Sequence, residues 1–282
     1  ADDLSIQALI LPMQVAILTT SGDLQSAAGL AEQALEIANQ SSDTNIVVKA
    51  LTNLALYYQA FGNITRSVQL MQQQVEINQQ QGNRLGEAVG LINLGYCYLT
   101  LGQFETGHTL LKRALQAARS LGARSFEAYA LLNLGLAEWR LGQPEIACQT
   151  LQLSLPMLES LGDQRGQAAR LFYLGLANEK AGDRTAAAAQ YETARAAFKQ
   201  LDAPTQMVET QAGLARLALQ RNDLPQAEQY ASEINAYLDQ HGPQGLELPM
   251  LVYLTCARVF QALGDAQRLQ HILVDGRKEL QV

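Results

Sequence analysis

The stretch GLINLGYCYLTLGQFETGHTLLKRAL, residues 90–115, decides the fold. Leu91, Leu94, Tyr98 and Leu101 recur at steps of three and four, the spacing of one face of a helix. Gly102 interrupts the pattern, and Leu110, Leu111, Ala114 and Ala118 then resume it. The spacing predicts helix A from Leu85 to Leu101, a glycine turn, and helix B from Phe104 to Leu121. Forty residues later, ALLNLGLAEWRLGQPEIACQTLQLSL repeats the pattern over 130–155. The string Asn93-Leu94-Gly95 returns as Asn133-Leu134-Gly135.

The period extends along the chain. Glycines fall at 22, 62, 102, 142 and 182, Asn222 takes the next place, and Gly264 follows 42 residues on. Asn is the residue that best replaces Gly in a left-handed helix terminus. A second series lies 20 residues out of phase: Ser42, Gly82, Gly122, Gly162, Asp202 and Gly242. Each unit of 40 residues is therefore two helices, each closed by a turn. Pro144, Pro225 and Pro249 sit in first helical turns, where a missing N–H costs nothing, whereas Pro156 falls inside a B helix and is expected to bend it. Small residues recur at an A-helix site (Ala55, Gly95, Gly135, Gly175) and at a B-helix site (Ser67, Gly107, Ala147, Ala187), which predicts close A–B crossings.

The set Leu94, Gly95, Tyr98 and Gly107, matched by Leu54, Ala55, Tyr58 and Ser67, resembles the tetratricopeptide repeat. The unit length and the Asn-Leu-Gly string are similar to the 40-residue subclass of spindle-orientation adaptors, kinesin light chains and bacterial signalling regulators. The family's helix-A Trp is missing, as in most units is the Pro that closes helix B. The resemblance implies an all-α solenoid of about seven antiparallel helix-turn-helix repeats in a right-handed superhelix. One domain, 1–282, is expected, with units near 4–42, 43–82, 83–122, 123–162, 163–202, 203–242 and 243–282. The first and last units are atypical, as an array needs where it stops. Pro12 interrupts the first A helix, and HGPQGLELP lengthens the entry to the seventh.

Composition agrees. Of 282 residues, 48% are hydrophobic and 17% charged, enough apolar surface for a large core. A net charge of −7 argues against nucleic-acid binding, which needs a concentrated basic face. Ile6–Leu18 is too short to span a bilayer and contains Pro12, so no membrane insertion is expected. Cys97, Cys148 and Cys256 are scattered among apolar helical residues and read as buried thiols of a reducing, cytoplasmic compartment. The start at Ala1 suggests a processed product or a piece of something longer.

No catalytic constellation is visible. His108, His241 and His271 are far apart, and no zinc-protease, nucleophile-elbow or phosphate-loop sequence occurs. An enzyme is not expected, nor a cofactor or metal. Stacked A helices instead offer a concave wall for an extended peptide or partner protein. The phase of Asn93 brings Asn53, Asn93, Asn133 and Tyr173 to that wall, and three residues on come Leu56, Tyr96, Leu136, Leu176 and Arg216. Trp139, Arg140 and Lys180 complete the candidate surface. A carboxamide donates and accepts together, which suits a peptide backbone, and the resemblance implies peptide contact at this Asn. The alternative is that each Asn bonds the neighbouring repeat. Its limited run favours binding, because a purely structural Asn should persist along the array. Arg140, Lys180 and Arg216 could select an acidic group or stand as solvated charge, and Trp139 could anchor a ligand or pack between repeats. A ligand-sensing arm of a larger bacterial signalling protein, a signal-transduction ATPase or a maltose-type activator, is the second reading. Self-association is a third.

Overall fold

The computed structural model describes residues 7, 10–11, 14–15, 24–40, 43–60 and 62–279. Among them the chain forms thirteen α-helices and no strand. In order these are α1 (Leu24–Gln40), α2 (Thr44–Ala60), α3 (Ile64–Gln80), α4 (Arg84–Thr100), α5 (Phe104–Ser120), α6 (Arg124–Arg140), α7 (Pro144–Ser160), α8 (Gln164–Ala181), α9 (Arg184–Gln200), α10 (Pro204–Gln220), α11 (Leu224–His241), α12 (Pro249–Leu263) and α13 (Ala266–Glu279). Even numbers are the A helices of the repeat and odd numbers the B helices. The expected boundaries hold to one residue in α4 and α5. Most of the first A helix, with Pro12, Gly22 and Ser42, lies outside the described residues.

The turns form for the reason the period implies. Gly102 closes α4 at φ 76°, and Asn222 and Asp202 adopt φ of 59° and 49°, the left-handed conformation that ends a helix. Starts are equally local: Asn63, Asn83, Asp163, Asp183 and Asp223 each accept a hydrogen bond from the backbone N–H three residues on. Each such cap contributes about 1 kcal/mol. Helix α7 runs uninterrupted through Pro156.

The chain forms two compact units, Ala1–Ala130 and Leu131–Val282. In the first, α1 to α5 pack each on the next, and α4 and α5 approach backbone to backbone. A Cβ added at Gly107 would stand 2.8 Å from the Gly95 carbonyl oxygen, so no side chain fits that crossing. In the second unit α7 to α13 pack in sequence, and α10 also meets α12. There the close crossing is filled differently. The ring of Tyr191, from α9, is fully buried and lies against both Gly175 and Gly213, where an added Cβ would sit 2.5 Å from it.

Candidate functional site

In the first unit the Asn phase faces solvent. Asn53 on α2 is exposed and Asn93 on α4 is half-buried. Beside them Leu56 is 46% exposed and Tyr96 half-buried. In the second unit Asn133 and Trp139 are half-buried and Lys180 is exposed. The Arg140 guanidinium lies 5.2 Å and the Lys180 ammonium 5.6 Å from the Trp139 ring centroid, both within cation–π range. Lys180 also donates to the Trp139 carbonyl at 3.0 Å.

The three motif carboxamides share one property. Among the described residues, the side chains of Asn53, Asn93 and Asn133 have no hydrogen-bond partner. Other asparagines find one: Asn78 donates to the Gln74 carbonyl, Asn178 to Gln190 and Asn235 to Asp239.

Four candidates of the second unit stand elsewhere. Arg216, only 9% exposed, donates twice to the Glu179 carboxylate, at 2.8 and 2.7 Å. It also reaches Thr255 Oγ1 at 3.2 Å and the Tyr191 hydroxyl at 3.3 Å, while that hydroxyl donates to Glu179 at 2.7 Å. Its charge is spent inside the chain, so it is a brace joining α8, α9, α10 and α12 rather than a selector of ligand charge. Leu136 and Leu176 are 2% exposed and belong to the core. Their phase is open at Leu56 but closed here. Tyr173 is also buried, and its hydroxyl donates to both Glu247 oxygens, at 2.8 and 2.9 Å.

Glu247 belongs to the connector between α11 and α12, residues 242–248, longer than the two- or three-residue turns elsewhere. Glu209, 3% exposed on α10, accepts from the backbone N–H groups of Glu247 at 2.8 Å and Leu248 at 2.7 Å. This connector, bent by a turn in which Leu246 N–H donates to the Pro243 carbonyl, is thus held by the A helices α8 and α10. Burial, then the nearby Glu247 carboxylate, pushes the Glu209 carboxyl up to about 8, against the pull of those two N–H groups and of Arg140. The sequence reading missed Glu209 and Glu247, although the long connector was visible.

The remaining reactive groups are quiet. Burial pushes the Cys97 thiol up and that of Cys256 up to about 12, disfavouring the nucleophilic thiolate. His271 pairs with Asp239 at 2.8 Å and Asp275 at 3.6 Å on the surface, and Lys278 meets Asp275 at 2.6 Å. No helix among the described residues is long and apolar enough to cross a membrane.

Comparison with known proteins fits this architecture. The tetratricopeptide-repeat family model matches residues 46–120, and a second model of the same description matches 128–152 and 208–231. The chain carries tetratricopeptide repeats over these residues. No curated protein sequence matches it. Solved structures with tetratricopeptide-like folds do. A Rap protein complexed with competence and sporulation factor superposes with a TM-score of 0.76 at 16% identity, over 97% of this chain and 76% of that one. NprR in complex with its cognate peptide NprX gives 0.73 at 15% identity, over 96% and 77%. A signal-transduction ATPase with a tetratricopeptide-repeat sensor, from Pyrococcus horikoshii, gives 0.59 at 17% identity, over 95% and 41%. At these identities the likeness shows the repeat fold alone.

Proposed function

We propose that this tetratricopeptide-repeat chain is a non-enzymatic interaction module that takes an extended peptide or partner segment on the solvent-facing side of its A helices. The observation that carries the reading is the unspent hydrogen-bonding capacity of Asn53, Asn93 and Asn133. A carboxamide in a repeat motif that bonds no other described residue offers donor and acceptor to a backbone laid over it. Leu56 and Tyr96 supply apolar contact in the first unit. Trp139, Arg140 and Lys180 supply an aromatic face and positive charge in the second. That NprR is in complex with a cognate peptide and the Rap protein with a factor supports a ligand-carrying role for this fold. Partners are proteins or peptides, without nucleic acid, in a cytoplasmic compartment where three free thiols stay reduced.

The test is selection from a displayed library of random extended peptides. Wild type enriches a consensus, and Asn53→Ala/Asn93→Ala/Asn133→Ala, with unchanged circular dichroism and melting, binds it at least tenfold more weakly. Retained affinity in a folded triple variant overturns the reading.

A second reading is that the module is the sensing arm of a larger signalling protein. The match of 95% of the chain to 41% of the Pyrococcus horikoshii ATPase favours it. An effector domain encoded in frame beside this segment is the expected finding, and a gene holding nothing else removes it.

A further inference from the structure

A cleft of about 510 Å³ opens in the first unit beside Asn53, between α2, α4 and Phe126 of α6. Its walls include Thr52, Val89 and Phe126, and Gln74, from α3 behind them, lines it too. Gln74 is only 2% exposed, and its position is built rather than incidental. Gly90 leaves room for its amide, since a Cβ there would collide with Gln74 Oε1. Gln74 Nε2 donates to the Gly86 carbonyl at 3.4 Å, which orients the amide, while Oε1 has no partner among the described residues. A buried acceptor left unbonded is unfavourable, and a donor brought by a ligand would relieve that cost.

The surroundings narrow the donor. Gln74 lies deep in the lining, so a ligand's main chain resting on Asn53 would reach it only through a side chain. The walls are largely apolar, so that side chain has an apolar body. Lys49 lines the same cleft and disfavours an ammonium or guanidinium. A neutral donor at the tip of an aromatic ring meets all three conditions. We infer that this cleft is a side-chain pocket for a tyrosine of the bound segment, with its ring between Val89 and Phe126 and its phenol O–H donated to Gln74 Oε1. The inference rests on the peptide-binding reading and adds a residue preference to it.

The probes are N-acetyl-L-tyrosinamide and N-acetyl-L-phenylalaninamide, titrated into the full chain and followed by the ¹H–¹⁵N signals of Thr52, Val89 and the Gln74 side chain. Both are expected to shift this set, the tyrosine probe binding about tenfold more tightly, the factor one hydrogen bond supplies. Gln74→Met keeps the length of the side chain and removes the acceptor. It should leave the phenylalanine probe's affinity unchanged and abolish the tyrosine advantage. Equal affinities in wild type, shifts confined to other residues, or an advantage that survives Gln74→Met would overturn the pocket. If the variant does not fold, the wild-type ratio and the Gln74 side-chain shift decide. A library consensus that depends on the asparagines but carries no tyrosine removes this pocket and leaves the broader reading standing.

Discussion

At the scale of single residues, glycines and one arginine show how the repeat is used. The sequence marks Gly29 and Gly213 alike as helical glycines, but nothing lies within 4 Å of a Cβ added at Gly29, whereas at Gly213 it meets Tyr191 at 2.5 Å. Gly29→Ala is therefore expected to stabilise by up to about 1 kcal/mol, the helix-propensity difference. Gly213→Ala gains the same propensity but overpacks a ring that cannot retreat, and should destabilise by about 1–2 kcal/mol net. Urea unfolding of both variants checks the opposite signs. Arg216→Met leaves Glu179 buried without its cation and should cost about 3–5 kcal/mol, while Arg216→Met/Glu179→Leu should recover most of it. Periodicity placed Arg216 correctly on its helix but could not show its partner, because Glu179 stands 37 residues away on another A helix.

At the scale of elements, helices and turns were legible because their causes are local: apolar spacing, a capping Asn or Asp, and a left-handed terminus at Gly or Asn. The connector of residues 242–248 was legible only as an irregularity in length. Its destination depends on Tyr173, 74 residues before Glu247, which no local pattern encodes. The Glu209 carboxyl is raised from the ordinary 4.5 to about 8 in the folded chain. A raised carboxyl contributes stability that is complete below its unfolded value and lost as pH rises through its folded value. The fold should therefore lose stability from about pH 5 to about pH 8, read as a falling urea midpoint. Glu209→Gln, neutral throughout, should flatten that trend, and an identical trend in the variant would contradict the assignment.

At the scale of the whole molecule, the three thiols serve as reporters. Cys97 and Cys256 are fully buried and Cys148 is half-buried, each in a different hairpin. In native buffer a thiol reagent should label Cys148 first. Cys97 and Cys256 should react only as fast as their helices open, and all three at once in denaturant; rapid native labelling of Cys256 would contradict the packing described. The candidate site was legible to the same depth as these thiols. Position along the repeat told which face Asn53 and Asn93 occupy, whereas Leu136, Leu176 and Tyr173 needed knowledge of what else shares their neighbourhood. The brace around Tyr191 also bears on inheritance. Glu179, Tyr191, Arg216 and Thr255 come from three successive repeats and are useful only together. Repeats of this kind lengthen and shorten by duplication and loss, but a copy inserted between α8 and α12 would separate partners that must meet. This part of the array should therefore pass through descent as a fixed block, while change in repeat number falls outside it.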